Sequence, residues 1–226
     1  MGSTRRPGKT LALIEGKPML WHIIQRLKRC NNVDQIIVAT TQEKKDNAVA
    51  KLCGMEKIGC YRGSSNDVLF RVLQAAKQFK ADLIIEVCGD CPLIDPKIVD
   101  EAIDFYLKHT FDFVGMIKPR TFPIGLEANI YVTKVLERVA KLTSDPLYRE
   151  HVSNFIYEHS EMFSLGNITA PNELQRTDIR FTVDTEEDLH LVRRIYKELY
   201  PRNPYFRAIE AVQLVDNLDL KKKKKS

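Results

Sequence analysis

The chain has 226 residues, 44% of them hydrophobic, and a formal net charge of +5. That length suits one large α/β domain, and the apolar share excludes an intrinsically disordered protein. The five lysines from Lys221 to Lys225 account for the whole net charge, so the body is near neutral and nucleic acid is not an expected partner. Lys17 to Arg29 places Met19, Leu20, Ile23, Ile24 and Leu27 at helical spacing, with Pro18 suited to the first turn. Gln35 to Thr40 is a short apolar run that reads as a buried strand, and Glu43 to Leu52 reads as a helix. A weak strand follows over Ile58 to Tyr61, then an amphipathic helix over Asn66 to Phe79 with Ser65 or Asn66 as its cap. Ala81 to Cys88 is a further strand, ending at Gly89-Asp90, and Pro96 to Lys108 is a helix opened by Asp95 and Pro96.

This alternation is the pattern of βαβ units with a parallel sheet. The second half changes character. Asp112 to Ile117, Leu126 to Val132 and Met162 to Ile168 read as strands of a mixed extension, with helices over Lys134 to Leu142 and Leu147 to Glu158. Arg180 to Val183 reads as a short strand, Thr185 to Tyr200 as a helix capped by Asp184 or Thr185, and Arg207 to Asn217 as the last helix. Residues 1–217 are therefore expected to form a single domain, with 218–226 a lysine-rich disordered tail.

Ligands of open α/β sheets bind beyond the carboxyl ends of the strands. Three segments put polar groups there. The first is the opening loop Gly2-Ser3-Thr4-Arg5-Arg6-Pro7-Gly8-Lys9, whose glycines and cations suit a polyphosphate. It is not a P-loop, because Ser3 stands where that spacing needs glycine. The second is Cys88-Gly89-Asp90-Cys91-Pro92, and the third is Val183-Asp184-Thr185. Asp90 and Asp184 are thus two carboxylates at strand ends, the kind of pair that shares Mg²⁺ with phosphate oxygens. Each is equally a plain turn or cap residue on its own spacing. Cys88 and Cys91 have C-x-x-C spacing, but Cys30, Cys53 and Cys60 form no second pair for zinc. Cys88 is expected inside the strand and buried, so redox chemistry is not expected either. The odd number of cysteines suggests a reduced, cytoplasmic protein. No apolar run approaches the roughly 20 residues of a membrane span.

Taken together, the motifs resemble those of a known family. Gly2-Ser3-Thr4-Arg5, Pro7-Gly8-Lys9, Gly16-Lys17-Pro18-Met19-Leu20, Val38-Ala39-Thr40-Thr41, Arg62-Gly63-Ser64, Asp67-Val68-Leu69 and Arg71 come first. Gly89-Asp90-Cys91-Pro92-Leu93-Ile94-Asp95-Pro96, Arg149-Glu150-His151-Val152 and Val183-Asp184-Thr185-Glu186-Glu187-Asp188-Leu189 follow in the same order. They resemble the cytidylyltransferases of acidic sugars, acylneuraminate and 3-deoxy-manno-octulosonate cytidylyltransferases among them, and most of all the spore-coat polysaccharide branch. The resemblance implies a Rossmann-like three-layer nucleotidyltransferase fold with a mainly parallel sheet. It also implies the reaction of CTP with an acidic sugar to give CMP-sugar and pyrophosphate, for surface polysaccharide synthesis.

Carried over by residue, Gly2, Ser3, Arg5 and Lys9 match the triphosphate loop. Asp90 and Asp184 match the Mg²⁺ carboxylates, and Arg5, Lys9 and Asp90 the catalytic set. Thr40, Ser64 and Arg71 lie on the side of base and ribose. Arg120, Glu127, Asn129, Arg149 and His151 fall on the sugar side, where Arg149 either grips a sugar carboxylate or pairs with a neighbouring acid. No membrane partner is implied, and a homodimer is the family-level expectation.

Two departures stand out. A strand reading like Ile-Ile-Gln-Ala-Arg normally precedes the loop and is missing here, so Met1 is expected to be an internal methionine of a longer protein. A carboxylate usual in the Pro-x-Gly-Leu segment is replaced by Ile124. Competing readings are an inactive or truncated nucleotide-binding homologue and a sugar-nucleotide-dependent glycosyltransferase. The second lacks the Asp-x-Asp triplet it would need after the Val87 strand.

Overall fold

The computed structural model describes residues 8–223. Gly2, Ser3 and Arg5 lie outside the described residues. The description opens on a 3₁₀ turn, Lys9–Leu11, preceded by Gly8 at φ 75°. A short hairpin of β1 (Leu13–Ile14) and β2 (Lys17–Pro18) leads into α1 (Met19–Leu27). Next, α2 (Asn47–Glu56) is the crossover between the parallel strands β3 (Ile37–Thr41) and β4 (Gly59–Gly63). Then come α3 (Val68–Gln78), β5 (Leu83–Glu86) and α4 (Pro96–Leu107). The second half holds β6 (Phe113–Gly115), β7 (Asn129–Val132), α5 (Thr133–Leu142), α6 (Pro146–Glu150), α7 (Asn154–Glu158) and β8 (Leu165–Asn167). It closes with α8 (Glu186–Leu199) and α9 (Ala208–Lys223).

Four strands form one sheet in the order β5-β7-β6-β8, with β7 antiparallel to both neighbours and β6 parallel to β8. Among the described residues no ladder joins the β3–β4 pair to this sheet. Side chains alternate across a strand, and β7 shows the result. Ile130 packs with Met19, Ile103, Phe181 and Val192 on one face. Tyr131 packs with Leu69, Leu136 and Phe155 on the other. Helices thus cover both faces, which gives three layers. Each fully buried side chain of this size contributes about 1.5–3 kcal/mol by leaving water. A third cluster, Leu20, Ile24, Val49, Leu52 and Cys53, lies between α1 and α2.

The structure corrects several local readings. The cap of α3 is Asp67, whose side chain accepts from Phe70 N, and not Ser65 or Asn66. The expected helix over 147–158 is two, because His151 leaves helical geometry at φ −106°, ψ 85°. Residues 180–183 form no strand: Arg180 makes one isolated bridge with Ile124, and Val183 N donates to Asp90 O at 2.9 Å. Thr185 caps α8 in a reciprocal box with Asp188. The last helix runs to Lys223, so residues 218–223 are helical where a disordered tail was expected.

Candidate functional site

Lys9 sits on the first described turn, Asp90 just beyond β5 and Asp184 just before α8. The structure brings these three together. Lys9 Nζ donates to Asp90 Oδ2 at 2.6 Å and to Asp184 Oδ1 at 2.7 Å. The backbone bond from Val183 N to Asp90 O locks the two carboxylate-bearing segments side by side. Asp184 also accepts from Arg180, and its own N–H donates to Asp188 Oδ2 at 2.8 Å. Burial pulls the Lys9 ammonium downward, but the bonds and charges of Asp184 and Asp90 outweigh it and hold its pKa above the ordinary lysine value. The lysine is therefore a fixed cation between two fixed anions.

The other expected site residues fall into three places. Thr40 and Thr41 end β3, and both hydroxyls donate to Asp46 Oδ2, at 2.8 and 2.6 Å. Ser64 follows β4, accepts from Asp67 N at 3.1 Å and offers its carbonyl to Arg71. Arg71 Nε is buried without a hydrogen-bond partner among the described residues. Arg120 and Glu127 form an ion pair on the loop before β7, where Gly125 N donates to Glu127 Oε2 at 2.6 Å. That loop lies against residues 179–182. Phe181 N donates to Ile124 O at 2.7 Å, and a Cβ on Gly125, at φ +100°, would stand 2.6 Å from Thr182 N. Only glycine fits there.

Arg149 is not with Arg120. Its guanidinium holds Asp67 Oδ2 at 2.9 and 2.7 Å, so α6 is clasped to the cap of α3 and the neighbour-pairing reading of Arg149 is the one seen. His151 is exposed in the break between α6 and α7. Asn129 is engaged at both ends of its amide, donating to Ser153 Oγ at 3.1 Å and accepting from Tyr157 OH at 3.0 Å.

Sequence reasoning missed the half-buried carboxyl at the centre of this last network. Glu86 Oε2 accepts from Tyr131 OH at 2.7 Å and from Ser153 Oγ at 2.8 Å. Burial pushes the Glu86 carboxyl above its ordinary value against the effect of those two donors. The signal was present: a lone carboxylate in the apolar run Leu83-Ile84-Ile85-Glu86-Val87. Arg180 was also missed, since a cation four residues before Asp184 carries no mark of its partner. Cys88 is exposed and lies outside β5, where burial within the strand was expected, because the strand ends at Glu86.

Among the described residues, no three His, Cys, Asp or Glu side chains gather as a self-sufficient metal site. Asp90 and Asp184 nonetheless converge on one point, now held by an ammonium, and offer hard oxygen donors. That donor set fits a divalent cation that takes its remaining ligands from phosphate and water.

A family model described as cytidylyltransferase matches residues 1–214. An uncharacterized protein of Methanocaldococcus jannaschii is 33% identical over 218 residues, 96% of this chain and 86% of that one. The spore coat polysaccharide biosynthesis protein SpsF of Bacillus subtilis is 25% identical over 221 residues, 96% of this chain and 90% of that one. A solved cytidylyltransferase from Leptospira borgpetersenii serovar Hardjo-bovis matches with a TM-score of 0.90 at 30% identity, covering 97% of this chain and 91% of that one. The fold is thus the Rossmann-like α/β fold of nucleotidyltransferases.

Proposed function

Because the chain belongs to the cytidylyltransferase family, we propose that it transfers CMP from CTP to a hydroxyl of an acidic sugar and releases pyrophosphate. The observation that carries this reading is the Lys9 ammonium held between Asp90, just beyond β5, and Asp184, just before α8. The relative named for spore coat polysaccharide biosynthesis supports a role in making a surface polysaccharide. The same reading places the protein in the cytoplasm as a homodimer. No described helix is long and apolar enough to cross a membrane.

Mg²⁺ is the proposed metal, held by Asp90 and Asp184, and when bound it supplies charge neutralisation on the triphosphate. Lys9 then faces the phosphates as well as the carboxylates, with Gly2, Ser3 and Arg5 as the rest of the triphosphate loop. The sugar hydroxyl attacks the α-phosphorus in line and pyrophosphate leaves, with no covalent enzyme intermediate. Positioning and fixed charge carry such a step. Thr40, Ser64 and Arg71 take the nucleoside side, and the orphaned Arg71 Nε is a donor in want of an acceptor. Arg120, Glu127, Asn129 and His151 take the sugar side. Arg149 holds α6 in place through Asp67.

The test is pyrophosphate release from CTP with a panel of ulosonic acids, with and without Mg²⁺. Release that needs both CTP and Mg²⁺ is expected. A chain that releases none with any nucleotide, and gains no thermal stability from CTP with Mg²⁺, overturns the reading.

A further inference from the structure

The turn that carries Asp90 has a thiol at each end. Cys91 N donates to Cys88 O at 3.3 Å, which closes Cys88-Gly89-Asp90-Cys91 into a β-turn. The ends of such a turn lie within about 7 Å, Cα to Cα, and a disulfide needs about 4.4–6.8 Å. Cys88 is exposed and Cys91 is 4% exposed, so one sulfur meets solvent and the other backs it from inside. Cys91 Sγ lies 3.6 Å from Asp90 Oδ1, on the same carboxylate that accepts from Lys9. The turn tip also lies beside the Lys9 segment, since a Cβ on Gly89 would stand 3.9 Å from Thr10 Cγ2.

We propose that Cys88 and Cys91 are a redox-active dithiol, closed by disulfide-class oxidants into an intramolecular disulfide that draws Asp90 away from Lys9 and lowers activity. The Cys88 thiolate attacks one sulfur of the oxidant disulfide, forming a mixed disulfide and releasing one thiol. Cys91 then attacks Cys88 Sγ, the Cys88–Cys91 bond forms, and the second oxidant thiol leaves with the proton. Two electrons pass from the cysteine pair to the oxidant. The closed bond is about 2.05 Å long, so the sulfurs must approach and the two residues between them, Asp90 included, must turn. The S–H contact to Asp90 is lost in the same step.

The effect on activity rests on the proposed function; the bond itself does not. The test uses the whole chain incubated with oxidised glutathione, followed by peptide mass mapping and pyrophosphate release. The expected result is loss of two hydrogen atoms from the peptide holding Cys88 and Cys91, with a several-fold fall in release that dithiothreitol reverses. Cys88→Ser is expected to keep the reduced activity and be insensitive to the oxidant. An unchanged peptide mass overturns the dithiol. A mass change with full activity, or equal inhibition of Cys88→Ser, overturns the link to Asp90. If the reduced chain releases no pyrophosphate at all, the proposed function falls and the mass measurement alone decides the disulfide.

Discussion

Lys9 Nζ lies 2.7 Å from Asp184 Oδ1 and so ties the first described turn to the start of α8, 175 residues later. The bond is little exposed, with side-chain accessibilities of 11% for Lys9 and 10% for Asp184. Lys9→Ala leaves Asp184 and Asp90 facing one another without their shared cation. Breaking one partner out of a buried ion pair costs about 3–5 kcal/mol, and partial exposure of Asp90 brings the expected loss to roughly 2–3 kcal/mol. A divalent cation can take the vacated place between the carboxylates. Urea unfolding should therefore show Lys9→Ala destabilised in chelator and largely restored in millimolar Mg²⁺, while the parent chain responds far less. Equal stability of the two chains in chelator would refute the staple.

Much of this site is legible in the sequence, for a physical reason. A strand with helices over both faces of its sheet is an apolar run, and the polar residue that follows it sits at the carboxyl edge where ligands bind. Asp90, just past the apolar run of β5, can be placed in that way, whereas Lys9 is placed by its glycine- and cation-rich loop and Asp184 by a strand over 180–183 that does not form. Their mutual bonds are not legible, because nothing local records that residues 81 and 175 positions apart share one ammonium. The break between α6 and α7 was hidden for a different reason. Val152, Phe155 and Ile156 are all buried and continue the helical spacing through it. Periodicity reports which side chains face the core and is silent on a backbone that turns while still facing it. The apolar Phe181 and Val183 suggested a strand at 180–183 in the same way, yet the backbone bonds of that segment go to Ile124 and to the Asp90 turn.

Arg149 and Asp67 form the contact that most changes how the sugar side is read. The pair holds α6 against the N-terminus of α3, and Asp67 caps that helix as well. Arg149→Ala is expected to lower stability by about 1–2 kcal/mol and to leave the KM for the sugar nearly unchanged. Asp67→Asn keeps a capping oxygen but loses the charge, so the double variant should cost clearly less than the two single losses added. A large rise in sugar KM with stability intact would restore Arg149 to the substrate.

His22 fixes one arm of the pH profile. Its ring is buried, with Nε2 2.8 Å from Ile14 O, and packs tilted at 60° against Tyr196 at 4.4 Å centroid distance. Burial, with smaller contributions from the charges of Arg26 and Lys17, lowers its pKa to about 4. The folded value lies below the unfolded one, so the unfolded chain binds more protons in between. The stability from neutral His22 is fully present above about pH 6.5 and is lost as pH falls towards 4, of the order of 3 kcal/mol. Chemical unfolding across this range should give a curve that flattens by one proton in His22→Gln. Parallel curves for the two chains would refute the assignment.

Glu86 bends the profile the other way. Its folded pKa is raised by burial, so the folded chain holds the proton more tightly than the unfolded chain. The favourable contribution is present below the ordinary glutamate value and is lost as pH rises through the folded one. Gln at this position cannot ionise, yet its carbonyl still accepts from Tyr131 OH and Ser153 Oγ, the two donors on Glu86 Oε2. Glu86→Gln should melt with the parent chain near pH 4 and above it near pH 8. Ser153 also accepts from Asn129, so the variant keeps the network that holds the proposed sugar-side amide. A lower melting temperature for Glu86→Gln at pH 8 would mean that the half-buried carboxylate is ionised and stabilising, by contacts stronger than its burial cost.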